Sequence, residues 1–174
     1  MISNSIVDYI ILGCLSTQPM SGYDIKRLIS ISTSLFYNAS YGSIYPTLKK
    51  MEEAGLVDSQ EAVENGRFKK IYALTAEGQR EFMEWLENPP KPIVIKNDML
   101  VRLFFYRNLP REKILALTAA HIEQLKAFRL ELDEIESLAG QEADKFQQYT
   151  LRWGKDFYVF QIDWYEKLLH DLEE

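Results

Sequence analysis

Three prolines in four residues, in the run Asn88-Pro89-Pro90-Lys91-Pro92, interrupt the chain near its middle. Proline has no amide hydrogen to give a helix or an interior strand, and it holds the residue before it in extended geometry. No regular element can run through such a stretch, so the 174 residues are expected to fold as two bodies. The boundaries that follow are an N-terminal domain over residues 1–88, a Pro-rich linker over 89–97 and a second domain over 98–174. Neither half contains an internal repeat or a low-complexity tract.

Before the linker, Ile6, Val7, Ile10, Ile11, Cys14 and Leu15 recur at helical spacing, and Gln18-Pro19 closes that helix. Ser21-Gly22-Tyr23-Asp24 reads as a capping box opening a short second helix that buries Ile25, Leu28 and Ile29. A third helix is expected from about Tyr41 to Glu53. Pro46 must lie in its first turns, which moves the true start toward Ser43. Its apolar stripe is Ile44, Leu48 and Met51, and Gly55 ends it. The period then becomes strand-like: 56–61 and 67–74 flank Glu64-Asn65-Gly66, and an Asn-Gly pair favours a tight hairpin. Thr75 caps a fourth helix carrying Phe82, Trp85 and Leu86. Helix, helix, helix, hairpin, helix is the order of a winged helix-turn-helix.

Beyond the linker every pattern is helical, which makes the chain mainly α. A short helix from Asp98 to Tyr106 precedes Asn108-Leu109-Pro110. Ile114, Thr118, His121, Leu125, Phe128, Leu132 and Ile135 then follow alternating steps of four and three, a coiled-coil-like seam that Gly140 breaks. A last helix carries Phe146, Tyr149, Trp153, Phe157, Phe160, Trp164 and Leu168, and eight of the 22 aromatic residues fall within 146–165. One helix hairpin cannot easily cover so many. Antiparallel packing against a second subunit is expected, through Leu125, Phe128, Leu132, Phe146, Trp153, Phe157, Phe160 and Trp164.

The net charge of −6 argues at first against nucleic acid. Charges beyond about 8–10 Å are screened at physiological salt, however, so the local field decides. Residues 38–50 hold Lys49 and Lys50 with no acid, and residues 65–72 hold Arg67, Lys69 and Lys70 with no acid. These two islands fall on the third helix and on the hairpin. At 100° per residue, Gly42, Tyr45, Pro46, Lys49 and Lys50 lie opposite the Ile44/Leu48/Met51 stripe. A polar face with small residues at its start suits a helix entering a major groove. The candidate DNA-binding residues are therefore Ser40, Tyr41, Gly42, Ser43, Tyr45, Pro46, Lys49 and Lys50 on the third helix and its approach. To these are added Arg67, Lys69 and Lys70 on the wing, and Ser21 and Tyr23 at the second helix's N-terminus, where free amides can hold a phosphate.

Other classes find little support. Tyr45 and Lys49 match the spacing of a short-chain dehydrogenase pair, but no Gly-rich dinucleotide loop accompanies them. His121 sits in the seam and His170 near the terminus, without clustered partners. Cys14, the only cysteine, excludes an internal disulfide and any multi-cysteine zinc site. No cofactor or metal is expected. The longest apolar runs fall far below the ~20 residues that span a bilayer, and the opening Met1-Ile2-Ser3-Asn4-Ser5 lacks a basic start. A cytoplasmic protein without a membrane partner is expected.

The stretch Ser43-Ile44-Tyr45-Pro46-Thr47-Leu48-Lys49-Lys50-Met51-Glu52-Glu53-Ala54-Gly55-Leu56-Val57 resembles the recognition-helix signature of the PadR family of bacterial transcriptional regulators. Gly66-Arg67-Phe68-Lys69-Lys70-Ile71-Tyr72-Ala73-Leu74-Thr75-Ala76-Glu77-Gly78 resembles that family's wing, departing from it at Ile71. Ile11-Leu12-Gly13 and Ser21-Gly22-Tyr23-Asp24-Ile25 fit as well, so the likeness covers roughly residues 5–85. The helical second half is similar to the AphA-like, virulence-activator type of C-terminal domain found in larger members. A homodimer on an inverted-repeat operator is expected, and the resemblance implies that it acts mainly as a repressor, with a small-molecule effector that changes the distance between its reading heads. A winged-helix adaptor for acidic protein partners is the alternative.

Overall fold

The computed structural model describes residues 5–31, 41–64, 67–92, 96–139 and 143–174. The chain divides into two compact units, Met1–Lys91 and Pro92–Glu174.

The first unit opens with α1 (Ile6–Thr17). Ser5 caps it, and the Asp8 carboxylate accepts a return bond from the Ser5 amide at 3.2 Å. The two-residue strand β1 (Met20–Ser21) leads into α2 (Gly22–Ile31). A 3-10 turn over Tyr41–Ser43 precedes α3 (Ile44–Glu53), so the regular helix starts beyond Ser43. β2 (Val57–Glu64) and β3 (Arg67–Leu74) form the hairpin, and α4 (Ala76–Glu87) follows, capped by Thr75. The sheet is antiparallel with order β1-β3-β2. β2 runs to Glu64, three residues further than its apolar pattern, because the pairing continues unbroken to Glu64 opposite Arg67. Ser40 and Asn65-Gly66, where a tight turn was expected, lie outside the described residues.

α3 ends in a Schellman arrangement. Gly55 adopts φ 72°, a left-handed conformation that costs a residue with a Cβ about 1–2 kcal/mol. Its amide donates to the Glu52 carbonyl, and the Leu56 amide donates to that of Met51. Leu56 and Met51 both enter the core, where Ile11, Leu12, Leu15, Ile25, Ile29, Ile44, Leu48, Val57 and Tyr72 are also buried. Three helices and the sheet thus close on one apolar centre, and the stripe read from α3 is its contribution.

The second unit comprises α5 (Asp98–Phe104), a 3-10 turn over Tyr106–Asn108, α6 (Arg111–Ala139) and α7 (Lys145–Glu173). α6 and α7 pack antiparallel. Lys155 on α7 bridges Asp133 and Glu136 on α6 at 2.7 and 2.6 Å, and Lys126 reaches Glu166 at 2.9 Å. Asp144 caps α7 through the amides of Phe146 and Gln147.

The expected seam packs within the chain. Thr118, Leu125 and Leu132 are buried, and Ile114, His121 and Ile135 are half-buried. Leu125 and Leu132, expected at a subunit contact, are enclosed by their own hairpin and offer no surface to a partner. The reason lies in α7: Gly154, Tyr158, Ile162, Tyr165 and Leu169 form a second stripe that faces α6. Phe128, Phe146, Trp153, Phe157, Phe160 and Trp164 remain exposed, by 41% to 67%.

Candidate nucleic-acid interface

The core stripe of α3 fixes what its other face presents. With Ile44, Leu48 and Met51 fully buried, Gly42, Tyr45, Pro46, Lys49 and Lys50 all stand exposed, and Ser43 is half-buried. Lys49 lies 3.9 Å from Glu53, one turn on, with both side chains mostly in solvent. Such a pair is worth at most about 1 kcal/mol and yields readily to a phosphate. Tyr45 reaches across to α2, where its ring covers Gly22: a Cβ there would stand 2.5 Å from Tyr45 Cε1. The start of α2 and the exposed face of α3 are thereby fitted together. Tyr23 is exposed beside them.

Ser21 has a different part from the one expected. It is 3% exposed, and its hydroxyl donates to the Asp24 carboxylate at 2.5 Å while accepting from the Asp24 amide at 3.2 Å. The Ser21 amide donates to the same carboxylate. The capping box read from the sequence is present, and it spends the Ser21 hydroxyl inside the fold. The Asp24 carboxylate thus takes the Ser21 amide and hydroxyl.

The wing also departs from expectation. Lys69 Nζ lies 3.0 Å from Asp24, and Lys70 Nζ lies 2.8 Å from Glu52 Oε2 and 5.3 Å from the centre of the Tyr72 ring. The Ser59 hydroxyl donates to the other oxygen of Glu52. The Ser21 hydroxyl, ahead of Lys69, holds the Asp24 carboxyl below the ordinary carboxylate range. Lys70, then Ser59, does the same for Glu52, and Glu52 raises Lys70 in return. The strand register adds Glu61 opposite Lys70. The hairpin is therefore not a bare basic island: acids from α2, α3 and β2 compensate it. Only the backbone of Tyr41 and Arg67 is described.

Asp24, Glu52 and Ser59 are the members of this surface that linear reading missed. Glu61 was within reach, because a two-residue Asn-Gly connection would set residue 61 opposite 70. Among the described residues no cluster of His, Cys, Asp and Glu gathers into a metal site, and no helix is long and apolar enough to cross a membrane. Burial pushes the Cys14 thiol up to about 11, which leaves it a small apolar core residue.

Residues 11–84 match the model of the transcriptional regulator PadR-like family, and residues 95–173 match that of the virulence activator alpha C-terminal domain. The chain thus joins a PadR-like domain to a virulence-activator type of C-terminal domain. The negative transcriptional regulator PadR of Bacillus subtilis is 29% identical over 124 residues, which are 70% of this chain and 68% of that protein. The crystal structure of B. subtilis PadR in complex with operator DNA superposes with a TM-score of 0.86 at 27% identity, covering 97% of this chain and 99% of the other. The same regulator solved in complex with p-coumaric acid gives 0.78 at 26% identity, covering 98% and 100%. The Vibrio cholerae virulence activator AphA gives 0.74 at 27% identity, covering 95% and 97%. These PadR-like neighbours share the winged helix-turn-helix and the helical second unit, and the chain is a DNA-binding transcriptional regulator.

Proposed function

We propose that this regulator binds an inverted-repeat operator as a homodimer in the cytoplasm, represses transcription and acts without catalysis. The observation that carries the reading is the exposed face of α3, where Tyr45, Pro46, Lys49 and Lys50 stand clear of the core. A helix presenting such a face fits the major groove, and two copies related by two-fold symmetry require half-sites in inverted orientation. The dimer is supported by the exposed aromatic row of α7. Repression is supported by the negative regulator PadR, and a small aromatic acid as effector by the complex of that protein with p-coumaric acid. In this reading Gly42, Ser43, Tyr45, Pro46 and Lys49 approach base edges, with Ser40 and Tyr41 leading in, and Lys50, Tyr23 and Arg67 approach the backbone.

Genomic fragments retained by the protein at moderate salt test this directly. One reproducible inverted repeat upstream of genes whose transcripts rise when the protein is removed is the expected result. Fragments without a shared motif, together with equal retention of an acidic protein competitor, would favour the adaptor.

A further inference from the structure

We propose that Glu52 is a positioning residue for operator recognition, forming with Lys70 and Ser59 a strut that sets the angle between the recognition helix and the wing. This rests on the DNA-binding reading above and deepens it.

Only Ala54, Gly55 and Leu56 join α3 to β2, and beneath them Ile44, Leu48 and Met51 share one core with Val57 and Tyr72 of the hairpin. The Schellman bonds fix the path of that connection. One carboxylate then ties the helix to both wing strands: one oxygen takes the Ser59 hydroxyl on β2, and the other takes Lys70 on β3 at 2.8 Å. Lys70 is anchored in turn against the ring of Tyr72, whose side chain is buried in the core. Seven residues separate Tyr45 from Glu52, nearly two full turns. The two therefore project from the same side of α3, about 10 Å apart along the axis at 1.5 Å per residue. A tilt released at Glu52 is felt where Tyr45 meets the groove. Stability changes little, because an exposed ion pair contributes at most about 1 kcal/mol. Base-edge geometry is far less forgiving.

Lys70 as a phosphate ligand, with Glu52 merely competing for it, predicts the opposite sign. Removing the Glu52 charge would then release Lys70 and tighten binding to every duplex. The test compares full-length wild type with Glu52→Gln, Lys70→Ala, Ser59→Ala and the charge-exchanged pair Glu52→Lys/Lys70→Glu. Binding is measured on the retained genomic operator and on a scrambled duplex at three salt concentrations, with thermal melts confirming that each variant is folded. The strut requires Glu52→Gln to weaken operator binding about tenfold while random-duplex binding moves less than about twofold. Lys70→Ala should leave the salt slope unchanged, where loss of a phosphate contact lowers it by about one unit. Ser59→Ala should shift the specificity ratio in the same direction, and the exchanged pair should recover part of it. Tighter binding to both duplexes by Glu52→Gln, equal losses on both, or no change overturns the strut. A wild type with no preference for any fragment overturns the DNA-binding reading itself, and the strut with it.

Discussion

Gly22 shows how one missing methyl shapes the reading surface. A Cβ there would stand 2.5 Å from the Tyr45 ring, yet the residue sits in the first turn of α2, where alanine is a better helix former than glycine. Gly22→Ala should therefore leave folding stability within about 1 kcal/mol of wild type, because the ring swings off into solvent and the backbone gains from the substitution. Operator binding should fall about tenfold, the size of a lost base-edge contact of 1–3 kcal/mol. Thermal melts alongside binding curves check both halves. A variant that melts far lower, or one that keeps operator affinity, contradicts this fit between the helices. The outward set of Tyr45, Lys49 and Lys50 was legible in the sequence, because Ile44, Leu48 and Met51 fix the azimuth of every other residue on α3. Ser21 was half-legible. Its capping role follows from the motif, but a cap that closes on its own Asp24 cannot also serve a phosphate. The pairing of Lys69 and Lys70 was hidden, since a charge window along the chain does not see acids brought in from α2, α3 and the neighbouring strand.

Among the elements, those with a period were the ones sequence could find. The seven helices among the described residues were all expected from the sequence, whereas β1, two residues long, has no period to detect. The α6–α7 hairpin shows a subtler limit. The large side chains of α7 mark its exposed row, while Gly154, Tyr158 and Tyr165 make the contact with α6. Within that contact His121 packs edge-on to Tyr165, ring centres 4.7 Å apart, and burial, opposed by Gln124, lowers its pKa. The unfolded chain takes up this proton near pH 6.5 while the folded hairpin resists it, so stability falls as pH drops below about 6.5. Asp133, held at about 2 by Arg129 and then Lys155, stabilises the hairpin above its unfolded value near 4 and loses that contribution only at more acid pH. Between pH 7.5 and 5.5 Asp133 stays ionised and adds nothing to the change. Tryptophan emission followed through thermal melts in a Trp85→Phe background reports Trp153 and Trp164 alone. The unmodified hairpin should lose more stability between those pH values than the same chain carrying His121→Gln. Equal losses would place the titrating group elsewhere.

For the whole molecule, the decisive division is the proline run, because each unit buries an apolar centre of its own. The first closes around Ile11, Leu12, Ile25, Ile44, Leu48 and Met51, and the second around Met99, Tyr106, Ile122, Leu125 and Tyr165. What neither centre accounts for is the row Phe146, Tyr149, Trp153, Phe157, Phe160 and Trp164, six aromatic side chains at steps of three and four, each at least 41% exposed. A contiguous apolar surface of this kind marks an interaction site in a soluble protein. A fragment of residues 1–91 should therefore fold and remain monomeric in sedimentation, and lose about a hundredfold or more in operator affinity, the gain that linking two half-site contacts supplies. Its affinity for random duplex should fall much less, since each reading head keeps its own phosphate contacts. Truncation alone leaves open whether the missing surface or the missing mass is responsible. Trp153→Ser with Phe160→Ser in the full chain separates the two: both side chains are exposed, so the hairpin keeps its packing on Leu125, Leu132 and Tyr165 while the aromatic row is broken. This variant should sediment as a monomer with its helix content intact and show the same loss on the operator as the fragment. A stable dimer in either case would place the subunit contact on another face of the molecule.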